Sequence, residues 1–505
     1  DFFNTSYINC DNPMLSADQF QKICTNAGYG PNDMAGVYIG RRNVEGGPRD
    51  SRMTHTDFRL VAGLKGEINS AWKYDFYGLD AEVKSPQEYA NDLNWPRIQD
   101  APIVDGNPND PSTWHCRSGK AACVPWNIFK KGGVTQTALN YLMLSEVLNS
   151  GTKTQLVHGE VNADLKGYGL VIPSAVEGIQ FALGAEYRKE FLFVHPDYPF
   201  QEALGAGSGG PTVPVDGSYS VKEGFTELRV PLVQGVAGAK NLVLDLGYRY
   251  SDYNINGGYS TYKAEAEWSP TSDFKLRGGY NRATRAPNVQ ELFTPQGLGL
   301  GGSTDPCSTA TPTFSQQQCA YTGVTAAQYG TILPNPAQQY NTLSGGNPNL
   351  KPEVADTNTL GLVLTPQGIP GFTASFDYYD IKLKSTIGSL GADDILKQCA
   401  TTGNPALCNL IHRDAKGTLW LTPQAYTITT NQNIGQLHTQ GVDVTLNYSL
   451  PVGQSLLGFN LIGTYMNKQE INTGLYSYDC IGYFGNQCGV PNPKWRHLAR
   501  FSWET

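Results

Sequence analysis

Residues 241–253 read Asn-Leu-Val-Leu-Asp-Leu-Gly-Tyr-Arg-Tyr-Ser-Asp-Tyr, and their side chains alternate between two chemical types. Leucine or tyrosine stands at every even position from Leu242 to Tyr250, and Asp245, Gly247 and Arg249 stand between them. Side chains of a β-strand point alternately to its two faces, so the stretch predicts a strand with one apolar and one polar face. The same reasoning predicts further strands at about 54–66, 70–82, 152–166, 176–192, 218–233, 258–269, 273–284, 354–365, 371–382, 437–449, 456–467 and 494–505.

The connectors between these strands alternate in length. Tight connectors lie at 67–69, 167–175, 234–240, 270–272, 366–370 and 450–455. Long connectors lie at 83–151, 193–217, 285–353, 383–436 and 468–493, and the short turn 254–257 is the exception on their side. Short turns at one end and long loops at the other are typical of an outer-membrane β-barrel. We therefore predict an all-β chain that forms a transmembrane antiparallel β-barrel with long extracellular loops.

The main alternative is a soluble all-β protein, whose half-buried strands alternate in the same way. Strand length, loop asymmetry and the number of strands without intervening helices favour the membrane barrel. No run approaches the roughly 18 apolar residues of a membrane helix. The net charge of −8 over 505 residues, without a basic cluster, argues against a nucleic-acid partner.

The ten cysteines form five local pairs, and all of them lie in the predicted loops. An even number of closely spaced cysteines predicts disulfides made in an oxidising compartment. Metal binding is the rival interpretation, but the pairs lack the Cys-x-x-Cys spacing and have no histidine at ligand spacing. The rings would pre-order the loops or protect them from proteases, and both roles stay open. The predicted pairs are Cys10/Cys24, Cys116/Cys123, Cys307/Cys319, Cys399/Cys408 and Cys480/Cys488.

Two segments resemble motifs of the TonB-dependent receptors. Residues 281–293, Asn-Arg-Ala-Thr-Arg-Ala-Pro-Asn-Val-Gln-Glu-Leu-Phe, are similar to the family's S-R-x-F-R-A-P-x-x-x-E-L-Y segment. Residues 346–353, Gly-Asn-Pro-Asn-Leu-Lys-Pro-Glu, are similar to its G-N-P-x-L-K-P-E segment. We expect these motifs to set strand ends and register, with Arg282 and Arg285 facing the barrel interior at the loop side. The motif residues are Arg282, Arg285, Pro287, Glu291, Asn347, Pro348, Leu350, Pro352 and Glu353.

The resemblance implies further strands and domains in addition to those predicted for this chain. Family barrels have about 22 strands, against about 13 predicted here. The family also has a signal peptide, a TonB box and a plug domain before the barrel, and the partner TonB acts with ExbB and ExbD. We therefore expect an internal fragment, with residues 1–53 as an extracellular loop or ribbon and 54–505 as a partial barrel. The plug domain and the C-terminal strands are expected to lie outside this chain.

The candidate ligand contacts are aromatic residues of the predicted loops. Exposed rings stack on sugars or catecholate-type chelates, although the same residues serve equally well to pack loops together. We predict no cofactor and no metal site, and residues 288–346 lack the histidine that haem receptors of the family place there. An amphipathic helix is predicted at about 134–149. The candidate contacts are Trp95, Trp114, Trp126, Tyr198, Phe200, Tyr483 and Phe484.

The sequence is compatible with three functions. The leading hypothesis is TonB-dependent uptake of a scarce nutrient, such as a siderophore or a carbohydrate, across the bacterial outer membrane. A passive porin or channel is the first alternative, and a surface adhesion or structural barrel is the second. We expect no enzyme, because no catalytic triad, phosphate loop or metal cluster is evident, and residues 205–210 lack the strand and helix of a nucleophile elbow.

Overall fold

The computed structural model describes residues 2–485 and 488–505. Strands dominate this part of the chain, and short helices lie in the connectors. In chain order the strands are β1 (Phe2–Asn9), β2 (Met34–Arg41), β3 (Asp50–Met53), β4 (Thr56–Glu67), β5 (Trp72–Lys84), β6 (Gln87–Leu93), β7 (Val104–Asn107), β8 (Asp110–Cys116), β9 (Met143–Asp164), β10 (Gln180–Pro196), β11 (Val215–Val236), β12 (Ala239–Tyr253), β13 (Gly257–Ser269), β14 (Phe274–Arg285), β15 (Gly297–Gly302), β16 (Tyr340–Ser344), β17 (Glu353–Leu364), β18 (Phe372–Gly388), β19 (Ile411–His412), β20 (Tyr426–Ile428), β21 (Gln432–Val452), β22 (Ser455–Asn472), β23 (Ser477–Asp479) and β24 (Trp495–Glu504).

The helices are short, and all of those described except α7 begin at a side-chain cap. They are α1 (Ala17–Ile23), α2 (Trp95–Asp100), α3 (Gln136–Leu142), α4 (Tyr198–Gln201), α5 (Val289–Phe293), α6 (Gln316–Tyr321), α7 (Ala392–Thr402) and α8 (Pro405–Cys408). Three single 3-10 turns cover Thr25–Ala27, Val44–Gly46 and Leu165–Tyr168. No helix within the described residues is long and apolar enough to cross a membrane.

The 16-stranded main sheet is an antiparallel up-and-down meander. Its order is β4-β5-β9-β10-β11-β12-β13-β14-β17-β18-β21-β22-β24, so each of these strands pairs with the next one of the meander. The short strands β3, β6 and β23 are additions at its loop end. The other thirteen match the predicted strands, which confirms the all-β fold and the two-ended arrangement of connectors. Many strands continue past the predicted limits at the loop end, and β9 and β11 each reach 22 residues.

The predicted helix at 134–149 is only half correct. The helix α3 ends at Leu142, and Met143 opens strand β9. Residues 143–148 pair with β6, through Met143↔Leu93 at one end and Leu148↔Gln87 at the other. Strand β6 forms hydrogen bonds with the backbone of residues 143–148. These residues are therefore a strand, although their apolar side chains have helical spacing.

The register gives the sheet one apolar and one charged face. Residues directly opposite each other in an antiparallel pair share a face. One face carries exposed apolar side chains such as Leu60, Leu64, Leu183 and Leu360. The other face carries ion pairs between strands. Arg229–Asp245, Arg249–Glu223 and Lys275–Glu267 join neighbouring strands, whereas Lys263–Glu227 and Arg277–Asp377 each reach across one intervening strand. This division is that of a barrel wall with lipid outside and a polar interior.

All five predicted disulfides are present. They are Cys10–Cys24, Cys116–Cys123, Cys307–Cys319, Cys399–Cys408 and Cys480–Cys488. The rings close over 7 to 14 residues and lie at the loop end of the sheet. On the chain-entropy model a ring of this size stabilises its loop by about 2–3 kcal/mol.

Residues 2–46 pack against residues 94–142, and together they form what we call the first cap. Asn9 exchanges two hydrogen bonds with the backbone of Val104, at 2.9 and 3.2 Å. Arg117 bridges Asp11 and Asp105, both at 2.5 Å. The core of this cap is made of Leu93, Ile98, Ala101, Trp126, Ala138 and Leu142.

Residues 286–350 and 389–430 interlock in the same way and form the second cap. Strand β16 pairs in parallel with β20, which places strands from two different connectors in one small sheet. A buried ion pair joins the connectors again, since Arg413 donates to the two oxygens of Asp305 at 2.6 and 2.9 Å. Arg413 also donates to the carbonyl oxygens of Thr322 and Gly417.

Replacing Arg413 by methionine should loosen the second cap, because Asp305 would keep a buried charge without its partner. The two side chains are 3% and 0% exposed, and removing one member of such a pair costs about 3–5 kcal/mol. Hydrogen exchange should therefore accelerate in residues 303–333 and leave the main sheet unchanged. A double variant, Arg413→Met with Asp305→Leu, should recover most of the protection. Wild-type exchange in the single variant would contradict this role.

Candidate ligand-binding site

Arg285 fastens the long connector 286–352 to the sheet. Its Nε donates to Glu353 at 2.7 Å, across the β14–β17 pair. Its two terminal nitrogens donate to Glu291 at 3.0 and 3.1 Å. Glu291 in turn completes the capping box of α5, accepting from the backbone of Asn288 at 2.8 Å. One guanidinium thus ties the strand end, the first helix of the loop and the returning strand together.

The returning segment is held by the second motif. Asn347 donates from its backbone to Glu291 and from its side chain to Asn431, both at 2.9 Å. Leu350 is 1% exposed, inside a core cluster that also contains Leu292 and Val221. Pro287 and Pro352 are buried, whereas Pro348 is exposed. These contacts fix backbone positions at the loop end of the sheet.

The expectation that Arg282 faces the interior together with Arg285 is wrong. The register pairs Arg282 with Tyr262 and with Asp356, on the apolar outer face. Arg282 lies 3.9 Å from Asp356 and makes no part of the loop anchor. The two arginines are three residues apart on one strand, so their side chains must point to opposite faces.

The seven candidate aromatic residues divide by exposure. Trp126 is fully buried and Phe200 is 8% exposed, so both pack inside the loops. Trp95 packs on the core of the first cap, and the indole of Trp114 donates to the backbone of its own hairpin at 2.8 Å. Tyr198, Tyr483 and Phe484 are 67%, 66% and 78% exposed and are the members available to a ligand.

The interior wall carries a row of stacked planes that the sequence analysis missed. Tyr77 stacks on His158 with their ring centroids 4.9 Å apart, and His158 stacks on Phe225 with a centroid distance of 5.8 Å. The guanidinium of Arg249 lies 4.6 Å over the ring of Phe225. Gly184 makes the row possible, because a Cβ there would overlap the Phe225 ring. The alternation along residues 241–253 places Arg249 on the polar face, but only the register brings it together with rings from three other strands.

This row borders a cavity of about 710 Å³ on the interior wall. Its lining mixes both signs of charge with aromatic rings, and Arg249 donates to Glu223 at 3.2 Å. Such a surface can contact planar or charged groups that pass through the interior. Among the described residues, no cluster of three or more histidine, cysteine or acidic side chains is arranged to hold a metal ion.

A second feature absent from the sequence predictions is the buried Glu146, at the loop end of β9. Its side chain accepts from the hydroxyl of Ser208 at 3.1 Å. Burial, with the nearby carboxylates of Asp92 and Asp197, raises the pKa of Glu146 to about 7. No local motif indicates this residue, because its neighbours come from strand β6 and from the connector between β10 and β11.

A comparison with family models identifies the family of this chain. The model described as TonB dependent receptor-like, beta-barrel matches residues 19–504. The chain belongs to the TonB-dependent receptor family. Its location is therefore the bacterial outer membrane, with the apolar face of the main sheet toward lipid. A comparison with curated proteins finds no match.

Solved structures of outer-membrane receptors are similar to this receptor chain. A mutant of the ferric enterobactin receptor of Pseudomonas aeruginosa has a TM-score of 0.45 and 16% identity, covering 83% of this chain and 44% of that one. The siderophore receptor PirA of Acinetobacter baumannii has a TM-score of 0.47 and 13% identity, covering 89% of this chain and 48% of that one. The outer membrane transporter YddB of Escherichia coli has a TM-score of 0.48 and 11% identity, covering 90% of this chain and 49% of that one. The receptor chain spans about half the length of these proteins.

Replacing Arg285 by alanine should destabilise the junction between loop and sheet. Hydrogen bonds to charged groups contribute about 1.5–3 kcal/mol, and the variant removes those to Glu353 and Glu291. The matched control is Arg282→Ala in the same motif, whose partner is 3.9 Å away and whose loss should cost under about 1 kcal/mol. Urea unfolding of the complete receptor in detergent gives the two free energies. Equal losses for both variants would contradict the anchoring role of Arg285.

Proposed function

We propose that this chain is the wall and loop region of a receptor that takes up a scarce nutrient across the outer membrane. The observation that carries the proposal is the family match over residues 19–504. Uptake would draw energy from TonB, acting with ExbB and ExbD through a region outside this chain. A plug domain, also outside this chain, would gate the passage.

The loop end supplies a surface suited to capturing a ligand. Its caps are pre-ordered by disulfides, which lowers the conformational entropy that binding would otherwise cost. We infer that this end faces the exterior. Tyr198, Tyr483 and Phe484 expose their rings there, and such rings stack on catecholate-type chelates or sugars. A siderophore or a carbohydrate is therefore the ligand class that we propose.

Replacing Tyr483 and Phe484 together by alanine should weaken ligand capture. Loss of two exposed stacking rings is expected to raise the apparent Kd by about fivefold to a hundredfold, since each aromatic contact contributes about 0.5–1.5 kcal/mol. The matched control is Tyr168→Ala, which removes another exposed ring (58%) at the opposite, tight-turn end of the sheet. Binding of a ferric catecholate and of an oligosaccharide to the complete receptor is measured by fluorescence quenching. Unchanged binding of a ligand that the wild type binds would contradict this assignment.

The energy source distinguishes the proposal from its alternatives. Cells that carry the complete receptor should accumulate radiolabelled ferric catecholate or oligosaccharide only when TonB is present. Accumulation that persists without TonB, with steady conductance in planar bilayers, would instead identify a passive channel. A receptor that moves neither solute and conducts no ions would identify an adhesion or structural barrel.

A further inference from the structure

Residues 203–211, which we call the strap, join the two caps. On one side, the backbone of Ala206 donates to Leu93 at 2.8 Å, and Leu204 accepts from Trp95 at 2.6 Å. On the other side, Gly210 lies against the backbone carbonyl of Leu298 in the second cap. The strap reads Ala-Leu-Gly-Ala-Gly-Ser-Gly-Gly-Pro, and four glycines give its backbone little stiffness of its own.

Two buried carboxyl groups lie directly beneath the strap. Asp92 on β6 is 3% exposed and accepts from the backbone of Gly207 at 2.9 Å. Glu146 on β9 is fully buried and accepts from the hydroxyl of Ser208. The second oxygen of Glu146 is buried without a hydrogen-bond partner. An ionised carboxylate with an unsatisfied buried oxygen is costly, so this environment favours the protonated form.

The strap fits closely over this acid pair. A Cβ at Gly205 would stand 2.5 Å from an oxygen of Asp92 and 2.6 Å from the unpartnered oxygen of Glu146. A Cβ at Gly207 would overlap the guanidinium of Arg49. The glycines therefore let the backbone seal the two carboxyl groups from water, which maintains the low dielectric around Glu146.

Each element around Glu146 contributes a polar or charged group. Strand β6 brings Asp92 and Tyr89, whose hydroxyl donates to the carbonyl of Gly207 at 3.3 Å. Asp197, after β10, accepts from the backbone of Val147 at 2.7 Å. Arg49 brings a cation, but it is exposed and lies against Gly207 rather than Glu146. Two carboxylates thus lie near Glu146, and solvent screens the charge of the exposed Arg49.

We propose that the Glu146 carboxyl is a protonation-controlled latch that holds the strap, and through it the two caps, in the closed arrangement. While the group is protonated, it adds no charge beside Asp92, and the strap stays seated. When it ionises, repulsion from Asp92 and Asp197 and the demand for hydration displace the strap. Opening would uncouple the caps and let each move separately at the loop end.

The direction of the pH dependence follows from the two states of Glu146. In the closed form its pKa is raised from 4.5 to about 7. A proton bound more tightly in the closed form favours closure, so the latch is strongest below about pH 4.5. As the pH rises toward 7, the equilibrium constant for closing the strap falls, by at most roughly tenfold per pH unit. Above pH 7 this constant changes no further.

Hydrogen exchange of the strap in the complete receptor tests the latch. Protection of residues 203–211, corrected for intrinsic exchange, should fall between pH 4.5 and 7 in the wild type and level off above. Glu146→Gln keeps the shape without the charge and should hold protection high and flat across this range. Glu202→Gln removes an exposed carboxylate next to the strap and should retain the wild-type profile.

Two results would overturn the latch. One is flat protection of the strap across pH 4.5–8 in the wild type, which is decisive even if the variants fail to fold. The other is an unchanged pH profile in Glu146→Gln, which would assign the dependence to another group. Replacing Asp92 by asparagine removes a negative charge beside Glu146, so it should move the wild-type transition to lower pH. A transition that moves to higher pH in this variant would count against the proposal.

Discussion

The hydrogen-bonded ladder from β4 to β24 is the constraint on which the rest of the structure depends. Backbone groups that cross lipid must find partners within the protein, and a meander of antiparallel strands supplies them. Because the ladder is continuous, the register of each strand fixes the face of the next. A slip of one residue would turn charged side chains such as Arg277 and Asp377 toward lipid. The division into an apolar and a charged face is therefore a property of the whole sheet.

The loop end lies beyond this ladder and is stabilised by other means. Small disulfide rings limit the freedom of each connector, and short sheets and cores join connectors into caps. The buried pair of Arg413 and Asp305 does for the second cap what Asn9 and Val104 do for the first: it fixes one connector to another. Arg285 then fixes the second cap to the strands, where the ladder ends. Long connectors thereby become ordered bodies on a rigid wall.

The strap differs from the caps that it joins. It has no disulfide and no core of its own. Apart from Ala206, which packs on the core of the first cap, it is held mainly by backbone hydrogen bonds and by two buried carboxyl groups. Local stability is lowest where few apolar contacts are buried. Motion at the loop end would therefore begin at the strap, while each cap stays intact. The interior row of Tyr77, His158, Phe225 and Arg249 belongs to the rigid wall and would not share in that motion.

The strands, the two kinds of connector and the disulfide pairs follow from the sequence, because alternation and spacing are local properties of the chain. The spacing of Arg282 and Arg285 on one strand likewise requires opposite faces for their side chains. The burial of Trp126 and the strand at 143–148 do not follow from the sequence, because each depends on a partner that is remote in sequence, namely the first cap and β6. Glu146 is the clearest case. Its environment is assembled from β6, the strap and Asp197, so only the tertiary structure could bury a carboxyl group there and change its affinity for a proton.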